Sequence, residues 1–79
     1  MLESLVGKKV YIRTITFHAR GIVSKIEDGW VELTDAECIF DSGSFEAFLR
    51  GGKASSAQGI PGTYLVNLGA VTDILEIVE

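Results

Sequence analysis

Groups that could bind an anion are concentrated in one short stretch, RGGKASS at residues 50–56. Its two glycines supply backbone N–H groups, Lys53 supplies an ammonium group, and Ser55 and Ser56 supply hydroxyls, all of which a phosphate accepts at close range. The spacing is not that of a Walker P-loop, because Ala47 occupies the position of the first glycine and Ala54 follows the lysine. The same composition is typical of a flexible surface loop, which is the simpler interpretation.

A second cationic group lies where strand patterning begins. Lys9, Tyr11 and Arg13 share one face of a predicted strand by alternation, and His18 and Arg20 follow on the next strand. Cations beside an aromatic ring could hold a nucleotide or a phosphate. Alternatively, this face could contact the acidic part of an adjacent copy in a head-to-tail ring.

Catalytic groups are scarce in this chain. His18 is the single histidine and Cys38 the single cysteine, so they form the one nucleophile and base pair worth naming. Cys38 lies in an apolar stretch, which favours a small core residue over a nucleophile. With no Cys/His cluster for a metal and no cofactor motif, the sequence predicts a protein that is not an enzyme and has no metal or cofactor.

Length and charge further restrict the class of protein to which this chain can belong. The 79 residues predict a single domain, and so short a chain buries too little apolar surface to be stable alone, which favours a homo-oligomer. The net charge is −4, with seven acidic and no Lys or Arg side chains in residues 26–49, so binding to nucleic acid is disfavoured. We find no signal peptide or membrane-spanning run and expect a cytoplasmic protein with no membrane partner.

Periodicity then indicates the elements that must position these groups. Residues 2–6 resemble a short helical turn, alternation predicts a first strand over 8–16, and a second strand runs from Phe17 through Gly21 to the Asp28-Gly29 turn. Asp-Gly favours a type I′ hairpin, and Gly21 lies where a sharply bent barrel strand accommodates no side chain. Trp30 opens the third strand and is interpreted as a core anchor.

The middle of the chain departs from this pattern. Ser44 is a predicted N-cap for a helix of about two turns that docks through Phe45 and Phe48, and residues 51–62 are a predicted loop. Alternation resumes at Tyr64 in a fourth strand, and a tight turn leads to a fifth strand over 71–78. Residues 36–62 are therefore an insertion between the third and fourth strands.

Three segments, LVGKKVYIR, GIVSKIEDG and YLVNLGAVTDI, resemble the Sm-like small barrel. The resemblance covers roughly residues 2–34 and 63–78. It implies a mainly β, five-stranded small barrel with a short N-terminal helix, in which the last strand pairs with a neighbouring subunit. In that family uridine-rich RNA is held by a stacking side chain and an acidic-Asn pair, and by a basic or amide residue near the final turn. Here no asparagine follows Asp28, whereas Asn67 matches the second position.

The segments IRT in the first strand and LTDA after the Trp-containing hairpin also resemble small proteins carried by bacteriophages. The leading hypothesis is a non-enzymatic, oligomeric phage counter-defence factor that acts in the host cell by sequestering a phosphate-bearing, nucleotide-like molecule. One alternative is a phage structural adaptor or an inhibitor that binds a host protein, and the other is Sm-type RNA binding. The candidate ligand-binding residues are Arg13, His18, Arg20, Lys53, Ser55, Ser56 and Asn67.

Overall fold

The computed structural model describes residues 2–79 and consists of an antiparallel sheet with one short helix. The strands are β1 Lys9–Thr14, β2 His18–Glu27, β3 Trp30–Asp41, β4 Ser56–Gly59, β5 Tyr64–Asn67 and β6 Val71–Glu76. The helix α1 is Phe45–Leu49, and 3₁₀ turns occupy Leu2–Leu5 and Leu68–Ala70. The sheet order is β4-β3-β2-β1-β6, and β5 pairs with the first half of β3.

Alternating apolar residues of the strands build the main core. One face of β1 carries Val10 and Ile12, which are at most 1% exposed, and the facing strands contribute residues such as Leu33 and Val66. Burying one face of each strand fixes the register, because a slip of one residue would turn the apolar set to solvent. The mainly β fold class predicted from the sequence is therefore confirmed.

Gly21 allows β2 to bend across the barrel. A Cβ at this position would lie 3.1 Å from the Cα of Ala36 and 3.2 Å from the carbonyl oxygen of Thr34. The β2 and β3 registers shift beside it, between Arg20 and Ile22. Only a residue without a side chain permits so close an approach of two backbones.

The predicted hairpin turn is also present. Asp28 and Gly29 have φ angles of 53° and 81°, as a type I′ turn requires at both central positions. The turn reverses the chain between β2 and β3, and Glu27 pairs with Trp30 across it.

Several details differ from the sequence-based expectation. Residues 56–59 were expected in a loop but form an additional strand, β4, which pairs with the second half of β3. All four residues of β4 are exposed, so no alternation of apolar and polar residues indicates the strand in the sequence. The N-terminal helix is a 3₁₀ turn of four residues. Trp30 is 45% exposed, so its interpretation as a core anchor is wrong.

The insertion packs on the outer face of the barrel. Phe48 of α1 is fully buried there in a second apolar cluster with Tyr11, Ile39 and Ile77. Phe45, which was expected to dock beside Phe48, remains 42% exposed. The helix therefore docks through one phenylalanine, because five residues present a single buried side chain to the sheet.

Within residues 2–79, no helix has the length and apolar character that crossing a bilayer requires.

Candidate binding sites

Arg20, a predicted ligand-binding residue, anchors the insertion instead. Its side chain is buried, its Nη2 and Nε lie 2.7 Å from the Glu37 carboxylate, and its Nη1 donates to the carbonyl oxygens of Phe48 and Gly52. These contacts engage four of the five N–H groups of a side chain that is 5% exposed. We therefore assign Arg20 a structural role.

Arg13 lies on β1 and is more exposed than Arg20. Its guanidinium forms a two-pronged pair with the Asp73 carboxylate on β6, in which Nε donates to Oδ1 over 2.8 Å and Nη2 donates to Oδ2. Hydrogen bonds from Arg13 are the main reason that the pKa of Asp73 is lowered, and the same contact raises the pKa of Arg13. The positive charge of Arg13 is thus matched by Asp73.

His18 is held by Tyr11. The Tyr11 hydroxyl and His18 Nδ1 are hydrogen-bonded at 2.6 Å, and the two rings pack edge to face. Burial raises the pKa of Tyr11, so this hydroxyl remains protonated at neutral pH and can donate. His18 and Arg13 line a common cleft of about 380 Å³, together with the exposed ring of Phe40.

The RGGKASS segment does not form an anion cradle. The Gly51 N–H donates to the Phe48 carbonyl over 3.1 Å, and the Gly52 N–H donates to the Ala47 carbonyl over 2.8 Å. These bonds satisfy carbonyls at the end of α1, as is usual after a helix. The backbone donors expected for a phosphate are therefore committed elsewhere.

The polar side chains of this segment are spread along the insertion. Lys53 and Ser55 are exposed, and Ser55 lies against Gly43, where an added Cβ would collide with its Oγ. Ser56 belongs to β4 and pairs with Asp41. The structure thus brings Ser55 and Ser56 near one end of β3, and neither lines the cleft that contains Arg13 and His18.

The hairpin and the last turn meet at one end of the barrel. Leu68 N–H donates to the Gly29 carbonyl over 2.8 Å, and Trp30 is the pairing partner of Asn67. Asn67 caps the 3₁₀ turn by accepting from Gly69 N–H over 2.8 Å through Oδ1, and this cap does not use its amide N–H₂. One exposed aromatic ring and one amide therefore lie side by side.

A shallow cleft of about 260 Å³ opens beside Trp30, and it is lined by Leu65, Lys25 and acidic side chains, namely Glu27, Asp28 and Glu32. Lys25 Nζ lies 3.0 Å from Glu27 Oε1, and this contact is the main reason that the pKa of Lys25 is raised. Carboxylates outnumber cations here, so the cleft does not attract phosphate. We define Trp30, Asn67 and this cleft as the hairpin site.

Sequence reasoning identified part of each cleft and missed the aromatic rings. Arg13 and His18 share one cleft, and Asn67 lies in the hairpin site with Trp30. Trp30 and Phe40 were not proposed as binding residues, although each is among the exposed large apolar side chains. A tryptophan directly after a two-residue turn, on the strand face opposite Val31, was the available signal.

Within residues 2–79, no three His, Cys, Asp or Glu side chains are grouped so that they could hold a metal ion.

Comparisons with known proteins concern the fold. No protein-family model and no curated protein matches the chain. Among solved structures, a heptameric archaeal Sm protein, described for its implications for the eukaryotic snRNP core, is 23% identical with a TM-score of 0.71, over 96% of this chain and 94% of that one. The SmAP1 heptamer of P. aerophilum is 22% identical with a TM-score of 0.73, over 99% and 89%. The resemblance inferred from the sequence is therefore confirmed: the chain has the fold of Sm-like small barrel proteins.

Proposed function

We propose that the protein is a non-enzymatic, ring-forming subunit that binds single-stranded RNA at the hairpin site. The observation that carries the proposal is the hydrogen bond from Leu68 to Gly29, which holds the hairpin and the last turn together and places exposed Trp30 beside Asn67. An aromatic face for stacking and an amide for a base edge are the groups by which proteins recognise unpaired bases. The heptameric Sm proteins with this fold support the same interpretation.

The strand edges support assembly into a ring. Within residues 2–79, β6 pairs only with β1, and β5 pairs only with β3, so each presents one unpaired edge. Pairing β6 of one copy with β5 of the next would satisfy both edges. Because the two edges differ, the contact is head-to-tail, and repeated contacts close a ring when the rotation per subunit allows it.

The charges of the hairpin site predict how the RNA is held. Among residues 2–79, Lys25 is the one cation that lines the cleft, and it is paired with Glu27. Few phosphate charges can be neutralised there, so stacking and base hydrogen bonds must supply most of the affinity. We therefore expect an RNA affinity that changes little with salt.

Fluorescence anisotropy with a labelled uridine-rich single strand tests this proposal. We expect Trp30→Ala to weaken binding by about tenfold or more, because one stacking contact is lost, and Phe40→Ala, which alters an exposed ring elsewhere, to leave it unchanged. The RNA affinity of the wild type should fall with rising salt concentration by no more than is expected when one phosphate is neutralised. Equal RNA affinity of Trp30→Ala and the wild type, or no binding of single-stranded RNA, would contradict the proposal.

Light scattering at micromolar concentration tests the ring separately. A mass several times that of the 8.5 kDa chain is expected, and a stable single chain would exclude the ring.

The other sequence-based hypotheses remain predictions. A phage origin, sequestration of a nucleotide-like molecule, a role as adaptor or inhibitor, and a cytoplasmic location rest on the sequence resemblance and composition. Of these, sequestration of a nucleotide-like molecule has a structural feature in its favour, namely the cleft that contains Arg13 and His18.

A further inference from the structure

A second cleft lies on the outer face of the barrel, where the insertion meets the ends of β1, β2 and β3. It has a volume of about 380 Å³, and the residues that matter for its chemistry are Tyr11, Arg13, His18, Phe40, Asp41 and Phe45. We call it the insertion cleft. Its volume falls at the small end of the range of ligand pockets, so it suits a molecule of one or two fused rings.

Aromatic rings form the apolar part of the cleft. Phe40 is 68% exposed and Phe45 is 42% exposed, although both are large apolar side chains. Beneath them, Tyr11 packs edge to face against Phe45 at 6.1 Å and against buried Phe48 at 4.8 Å between ring centroids. The floor is therefore made of packed aromatic rings, while the two exposed phenylalanines offer faces on which a planar ring can stack.

Charged and polar groups determine which class of ligand the cleft favours. Arg13 is paired with Asp73, so it brings no net positive charge, and its remaining N–H groups are still donors. Asp41 accepts from Gly43 N–H over 2.9 Å through Oδ1, and this bond leaves Oδ2 as an acceptor. Without an unpaired cation among these groups, the cleft disfavours phosphate and suits a neutral ring that donates to a carboxylate.

We propose that the insertion cleft binds a planar heteroaromatic molecule of the nucleobase or nucleoside class, with the ring stacked on Phe40 and Phe45 and an exocyclic amine donating to Asp41. The proposal rests on the cleft alone and not on RNA binding at the hairpin site. It differs from the sequence-based hypothesis in its ligand, because the base, and not a phosphate, is recognised. It also gives the insertion a function that the rest of the barrel does not provide.

Titration of the full chain with adenosine, inosine and AMP by calorimetry tests the proposal. We expect adenosine to bind more tightly than inosine, which lacks the exocyclic amine, and AMP to bind no more tightly than adenosine. Phe40→Ala should weaken adenosine binding by about tenfold, because one stacking face is lost. Ile15→Ala, which truncates an exposed side chain outside both clefts, should leave it unchanged.

Asp41→Asn tests whether Asp41 contacts the ligand, because a purely structural role of Asp41 would not change the preference between adenosine and inosine. The asparagine retains an oxygen for the Gly43 N–H and replaces the free acceptor with an N–H₂ donor. The preference should therefore shift from adenosine towards inosine, whose ring carbonyl accepts. The control is Asp35→Asn, a change of the same kind at an exposed position outside the cleft, and it should leave the preference unaltered.

Three results would overturn the proposal. The first is the absence of heat with every nucleoside at millimolar concentration. The second is tighter binding of AMP than of adenosine, since this would show recognition of the phosphate. The third is a change in oligomeric mass caused by Phe40→Ala, which would identify the cleft as a contact between copies. RNA binding by the wild type can persist or fail independently of all three results.

Discussion

The guanidinium of Arg20 lies over the ring of Phe48, with Cζ 4.1 Å from the ring centroid, while its Nη1 donates to the Phe48 carbonyl over 3.0 Å. One side chain of β2 thus holds both the ring and the backbone of the helix that covers the outer face of the barrel. Glu37 on β3 balances its charge at 2.7 Å. The position of the insertion, and with it the shape of the insertion cleft, depends on this arginine.

Replacing Arg20 with methionine should destabilise the protein strongly. The substitution keeps an apolar stem but leaves the Glu37 carboxylate and the carbonyls of Phe48 and Gly52 without their donor. We expect a loss of about 3 kcal/mol in the free energy of unfolding, as for a buried ion pair deprived of one member. Urea denaturation followed by tryptophan fluorescence measures this loss.

Arg50→Met is the matched control. Arg50 is exposed and pairs with Glu46 one helical turn away at 3.7 Å. An exposed pair of this kind contributes about 0.3–0.5 kcal/mol, so the control should unfold nearly as the wild type does. Equal unfolding free energies for the Arg20 and Arg50 variants would show that Arg20 does not anchor the insertion.

Gly21→Ala should cost stability through steric conflict. The added Cβ would approach Ala36 Cα to 3.1 Å and Ala36 Cβ to 3.2 Å, both within the packed crossing of β2 and β3. We expect a loss of about 1–3 kcal/mol, the usual range for overpacking. Gly59→Ala is the control, since apart from its chain neighbours no atom of residues 2–79 lies within 4 Å of its Cβ position and its φ is not in the left-handed region. If both variants unfold at the same urea concentration, the predicted steric conflict at Gly21 is contradicted.

The Arg13 and Asp73 pair predicts an acid-dependent contribution to stability. The pKa of Asp73 is lowered from 3.8, chiefly by hydrogen bonds from Arg13, so the folded state binds this proton less readily than the unfolded state. The contribution is complete above the unfolded-state pKa and disappears as the pH falls through the lower folded-state value. Urea midpoints measured from pH 7 to pH 2 should therefore show wild type and Asp73→Asn converging in acid.

The same pair can be removed from its other end. Arg13→Gln should lower the midpoint at pH 7 as Asp73→Asn does, and the double variant should lose little more, because both substitutions remove one interaction. The effect is small, since both side chains are 38% exposed. A constant difference between wild type and Asp73→Asn at every pH would contradict the linkage.

The unpaired edge of β6 gives a test of assembly. Ile77 N–H donates to the Lys9 carbonyl of β1, so strand alternation turns the N–H of Glu76 towards the open edge. Glu76→Pro removes that donor, and proline is tolerated on an edge strand. We expect the proline variant to dissociate to lower mass in light scattering, while Glu76→Ala, which removes only the exposed side chain, keeps the mass of the wild type. A proline variant that is folded by circular dichroism and assembles normally would exclude β6 from the interface.

Local features of this fold could be predicted because each depends on a few neighbouring residues. The Asp28-Gly29 pair favours positive φ at both positions, and this preference specifies the hairpin. Ser44 accepts from Ala47 N–H at the start of α1, as expected for an N-cap. The alternation of β1 likewise separates buried Val10 and Ile12 from the opposite face.

The binding sites were predictable only in part. Arg13 and His18 were recognised as neighbours because alternation and one hairpin suffice to place them together. The structural role of Arg20 was not predicted, because it depends on the Phe48 and Gly52 carbonyls, which are 28 and 32 residues away in the sequence. Residue type suggests a ligand contact for an arginine, and only its surroundings show whether the protein already satisfies it.

The sequence by itself determined the strand periodicity, the turns and the helix cap, because these follow from the backbone and side-chain preferences of adjacent residues. The tertiary structure alone decided that Ser56–Gly59 joins the sheet, that Trp30 is exposed, and that Arg20 is buried beneath the insertion. Each of these outcomes depends on which distant segment meets the residue once the barrel has closed. Such pairings are selected by burial of the whole apolar surface, which no short stretch of sequence encodes.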